Sequence, residues 1–95
     1  MYLRIKKLFE KVQASNVNST YRTDEDIVFS FGKYTINLSV FKRTKWWLFP
    51  VYSIACFEGE VPLFIFNYYP FRVSKDIDVP GSKDIIDALC VHFGM

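Results

Sequence analysis

One histidine, His92, and two cysteines, Cys56 and Cys90, are all the chain offers of the residues that most often carry nucleophilic catalysis or bind transition metals. A structural zinc site takes four Cys or His ligands, so these three side chains cannot complete one. Ser-His-Asp and Cys-His arrangements need a histidine base held by a third group. His92 is the sole candidate, and Cys90, two positions earlier on an expected helix, points to a different face. Long apolar runs are missing too. The longest uncharged stretch, Trp46 to Phe57, has 12 residues and contains Pro50, well short of the about 20 that a membrane-spanning helix takes. Only four glycines are present, and none builds a phosphate-cradling loop, since FGKY has neither the Walker nor the dinucleotide-binding spacing. The aromatic signature of RNA-recognition motifs is absent as well. No cofactor is therefore expected.

The opening, MYLRIKKLFEKV, puts charges where a signal peptide carries its apolar segment. Without an export signal, Cys56 and Cys90 are expected to be reduced thiols in the cytoplasm, the host cytoplasm if the chain is phage-encoded.

Apolar and aromatic residues are plentiful. They reach 51% and 19% of the 95 residues, ten of them Phe, so a core forms and disorder is not expected. A chain of this length is expected to make one domain, residues 1–95. The net charge is +2, unevenly spread: residues 1–45 hold nine basic against four acidic side chains, and residues 46–95 hold three against six. Such polarity can steer encounter with a charged partner, but it is far below the basic excess of a dedicated nucleic-acid binder.

Along the chain, Tyr2, Ile5, Leu8, Phe9 and Val12 recur at helical spacing, which predicts an amphipathic helix from Tyr2 to Ala14. The polar stretch Ser15 to Asp26 reads as a loop, with a short strand at most near Thr20 to Arg22. Residues 26–40, DIVFSFGKYTINLSV, alternate strictly. Gly32-Lys33 fits a two-residue hairpin loop with glycine first. That loop sets Phe31 opposite Tyr34, Phe29 opposite Ile36 and Ile27 opposite Leu38, all on one side, leaving small polar residues on the other. After the basic turn FKRTK the pattern changes. Strands at about Leu48 to Phe57 and Val61 to Asn67 are apolar on both faces, with Pro50 and Pro62 at a bulge, a strand start or an edge. Ser82 reads as the N-cap of a last helix from about Lys83 to Phe93, ended by Gly94. The expected fold is α+β in the order α-β-β-β-β-α: a four-stranded antiparallel meander with both helices on one face.

Two groups of carboxylates, Asp24 to Asp26 and Asp76, Asp78, Asp84 and Asp87, have neither EF-hand nor nuclease spacing and read as solvated turns and helix starts, so no metal site is expected. The remaining feature is surplus aromatic surface. Tyr52, Phe57, Phe64, Phe66, Tyr68, Tyr69 and Phe71 exceed what two short helices cover, and alternation puts about half of them on the far side of the sheet.

The leading expectation is a small non-enzymatic protein-interaction module. Its binding surface would comprise Tyr52, Phe64, Phe66, Tyr68 and Tyr69 of the second hairpin, with Lys42, Arg43, Lys45 and Trp46 of the basic turn orienting the partner. Small size, high aromatic content and missing catalytic motifs resemble accessory proteins of phages and mobile elements, many of which inhibit a host enzyme. A homodimer through the same surface is a variant of this reading. The alternative is a nucleic-acid binder using Arg4, Lys7, Lys42, Arg43, Lys45 and Trp46, with phosphates on the cations and a base on the indole.

Overall fold

The computed structural model describes residues 1–42 and 49–95. It is α+β. Helix α1 (Tyr2–Gln13) is followed by strands β1 (Ser19–Arg22), β2 (Asp26–Phe31), β3 (Tyr34–Phe41), β4 (Val51–Glu58), β5 (Val61–Tyr69) and β6 (Arg72–Ile77), then helix α2 (Ser82–His92). All strands join one antiparallel sheet in chain order. The sheet thus has six strands rather than the expected four.

The two additional strands lie at the edges. The β1 strand is short and solvent-exposed, with a register shift between Ser19 and Tyr21. The β6 strand follows a tight turn at Pro70-Phe71, where Tyr69 pairs with Arg72. Its sequence, RVSKDI, mixes charges with isolated Val and Ile, so no alternation marks it as a strand. Its pairing with β5 makes it one.

The hairpin predicted at residues 26–40 forms with the expected register: Phe31 opposite Tyr34, Phe29 opposite Ile36, Ile27 opposite Leu38. Gly32 has φ of 61°, and Lys33 has no positive φ. A left-handed first loop position followed by an ordinary second one is the pattern of a type II′ turn, whose twist suits the flanking strands. Gly59-Glu60 repeats it between β4 and β5, with Gly59 at φ 61°.

Register carries one face through the sheet. Leu38 faces Ile54, which faces Phe66; Ile36 faces Cys56, which faces Phe64. This face and both helices share one core. From α1 come Ile5, Leu8, Phe9 and Val12; from α2 come Ile86, Leu89 and Cys90. The α1 helix lies over β4 and β5, where the Phe9 and Tyr52 rings are 5.8 Å apart. The chain just beyond α2 reaches β2 through Phe93 and Phe29, also 5.8 Å apart. Arg4 of α1 and Asp87 of α2 meet at 2.7 Å and tie the helices together.

The helix ends differ in part from expectation. Gly81, at φ 94°, is the N-cap of α2, and Ser82 is the first helical residue. The Ser82 hydroxyl donates to Asp78 Oδ1 at 2.8 Å instead of capping the helix. The C-terminal glycine acts as predicted. Gly94 has φ of 78°, its N–H bonds Val91 O, and the Met95 N–H bonds Cys90 O. That pair of bonds is a Schellman motif.

Candidate functional site

Four of the aromatic residues expected on the far face lie in the core instead. Tyr52 is 6% exposed, Phe64 0%, Phe66 3% and Tyr68 4%. The Tyr52 ring packs edge-on against Tyr2 at 5.5 Å, and the Phe64 and Phe66 rings are 5.0 Å apart. Burial pushes the Tyr68 phenol up to about 12. Tyr52, Phe64 and Phe66 cannot meet a partner without unfolding, and Tyr68 reaches the surface only as the wall of a groove.

Tyr52 lies on β4 in step with the inward Ile54 and Cys56; for the other three the physical reason is a bulge. Phe57 pairs with Pro62, but Cys56 pairs with Phe64, so Leu63 is an extra residue on β5. An inserted residue reverses which alternate set faces inward from there on. Phe64, Phe66 and Tyr68 consequently join Ile54 and Cys56 beneath the helices. On strands apolar on both sides, alternation cannot reveal such a reversal.

The opposite face keeps an apolar half of its own, built from other residues. Phe57 of β4, Ile65 and Tyr69 of β5 and Ile77 of β6 lie there, all half-buried. Ile65 pairs directly with Ile77. Toward β2 and β3 the same face turns polar, with Ser30, Thr35 and Asn37. Tyr69 is the one residue of the expected binding surface on the second hairpin that lies here, and Phe57, counted among the surplus aromatics, joins it. The Arg72 guanidinium stacks on its ring at 3.9 Å from the centroid. Phe57, Ile65 and Ile77 were missed as site residues. The signal that could have found Phe57 is its position next to the Glu58-Gly59-Glu60 turn, from which the pairing counts back.

The basic turn is only partly in view. Lys42 is exposed, whereas Arg43, Lys45 and Trp46 lie outside the described residues. Of the helix cations proposed for nucleic acid, Lys7 is exposed and Arg4 is engaged with Asp87. Hydrogen bonding to that carboxylate raises the Arg4 pKa further.

The residues weighed for catalysis have structural surroundings. His92 is exposed, its ring 5.4 Å from Phe31 and 5.0 Å from Phe93. Cys90 is 1% exposed, and burial raises its thiol pKa. Burial likewise pushes the Cys56 thiol up to about 11. Both are therefore poor nucleophiles near neutral pH. Asp76 accepts from Asn67, and Asp78 accepts from Ser82 and pairs with Lys75. Among the described residues no group of three His, Cys, Asp or Glu side chains is placed to hold a metal ion, and no helix is long and apolar enough to cross a membrane. Compared with known protein families, curated proteins and solved structures, the chain matches none of them.

Proposed function

We propose that the chain is a protein-interaction module without chemistry of its own, docking through the apolar half of the outer sheet face. The observation that carries this reading is the patch formed by Phe57, Ile65, Tyr69 and Ile77. These residues are half-buried on the side away from both helices, beside the stacked Arg72. Phe57, Ile65 and Ile77 make the apolar part of the patch, and the polar row Ser53, Asn67 and Ser74 stands between them and the Tyr69–Arg72 pair. Apolar surface with a Tyr and an Arg close by is the composition that concentrates binding energy. Lys42 is exposed and available to orient an acidic partner. Inhibition of a host enzyme by a phage or mobile-element protein is the form of this reading that size and composition suggest, and a second copy of the chain is a further candidate partner.

The test compares tagged wild type with Phe57→Asp and Ile65→Asp in affinity capture from a lysate of the cells that carry the gene. Ser30→Asp, on the polar half of the same face, is the control. Circular dichroism first establishes that all variants fold. Proteins retained by wild type and the control but lost by both patch variants support the proposal. Identical captures by all four refute it. Light scattering on the same samples separates a second copy from a foreign partner.

A further inference from the structure

The β5–β6 turn builds a second feature at the margin of the flat patch. Neither Pro70 nor Phe71 has a positive φ. A two-residue turn with Pro first and no left-handed residue is type I. It thrusts Phe71 outward, 96% exposed, the most exposed large apolar side chain among the described residues. Beside it runs a groove of about 300 Å3, lined by Tyr2, Tyr69, Pro70, Arg72 and Val73 together with Phe71 itself. Small-molecule pockets span about 300–1,000 Å3, so this volume stands at the small end of that range and has room for a large side chain. Its back wall is fixed. The Tyr2 hydroxyl donates to Pro50 O at 2.6 Å, and Tyr68, which also lines it, belongs to the core.

Charge selects the occupant. Among the described residues of the lining, which include Met1, Arg72 is the only charged side chain and there is no carboxylate side chain. Its guanidinium is held 3.9 Å above the Tyr69 ring centroid and forms no ion pair among the described residues. A guanidinium held over a ring keeps its N–H donors, and an Arg can take a carboxylate in bidentate fashion. A second copy fits poorly, because two-fold contact at this turn would set one Arg72 against the other.

We propose that this groove captures an extended segment of a partner protein, seating a large apolar side chain against Phe71 and Val73 and the neighbouring carboxylate on Arg72. The inference rests on the chain being a protein-binding module; the groove shares Tyr69 and Arg72 with the margin of the outer patch but not Phe57, Ile65 or Ile77.

Three capped peptides, GSFDSG, GSFNSG and GSADSG, are titrated to millimolar concentration into the full-length 15N-labelled chain, and amide shifts are followed. GSFDSG should move Tyr69, Phe71, Arg72 and Val73 together. Loss of the carboxylate in GSFNSG should weaken binding by about two- to fivefold, the range of a solvent-exposed ion pair. Arg72→Gln should abolish that preference, and Arg72→Lys, which keeps the charge, should retain part of it. Equal affinity for GSFDSG and GSFNSG overturns the proposal, as does the absence of shifts at these amides. Shifts of these amides with protein concentration alone would give the groove to a second copy. Arg72-dependent binding of a short oligothymidylate without the peptide preference would give it to nucleic acid. Because Phe57→Asp and Ile65→Asp leave the groove intact, loss of capture through the patch and loss of peptide binding are read separately.

Discussion

Cys56 is fully buried between Ile36 and Phe64 on the inner face. Its thiol is pushed up to about 11 by burial first and by the charge of Glu58 second. A group whose pKa is higher folded than unfolded stabilises the fold below the unfolded value, and that contribution is lost as pH rises toward the folded one. Stability should therefore fall between pH 9 and 11, by up to about 1.4 kcal/mol per pH unit for this group. Urea midpoints across that window check it, and Cys56→Val should give a shallower decline. The Arg4–Asp87 pair tests the opposite case. Its side chains are 34% and 41% exposed, and solvent screens such a contact. Asp87→Asn should cost less than about 1 kcal/mol, and nearly nothing in molar salt.

Turns and strands obey clearer rules than single contacts, and here the sequence was most informative. The β2–β3 register was legible because apolar and polar residues alternate on both strands around one glycine. A slip by one residue would have exposed Phe29 and buried Ser30. Both helices were legible from spacing and from Gly94. The β6 strand was not, because its identity comes from pairing with β5 rather than from its own pattern. Nor was the inward side of β5, where one extra residue at Leu63 reverses the alternation. The candidate surface inherited that error: Tyr69 was named from the sequence, but Phe64, Phe66 and Tyr68 turn inward and Ile65 takes their place on the outer face. The hairpin loops give a direct test. A Cβ added at Gly32 or Gly59 would meet no atom within 4 Å, so only the backbone conformation opposes a side chain there. Gly32→Ala and Gly59→Ala should each cost about 1–2 kcal/mol, the penalty of a left-handed L-residue. Chemical denaturation should show this with an unchanged m-value.

At the scale of the whole molecule, both helices and the inner sheet face share one core, so heat should melt the chain in a single step. Calorimetry should give equal van't Hoff and calorimetric enthalpies, on the order of 65 kcal/mol near 60 °C for a chain of this length. Two resolved peaks would mean that the edge strands or a helix detach separately. The placement of α2 also bears on biosynthesis. The pairs β2–β3, β4–β5 and β5–β6 close through loops of two residues and can pair as soon as they emerge, yet Phe29 must wait for its ring contact with Phe93. At about 5–20 residues per second of translation, a nascent chain whose sheet has already formed leaves part of its inner apolar face uncovered for on the order of a second. Chaperones and ribosome-bound proteases have that interval in which to act, and a product cut short before Ser82 would never leave it.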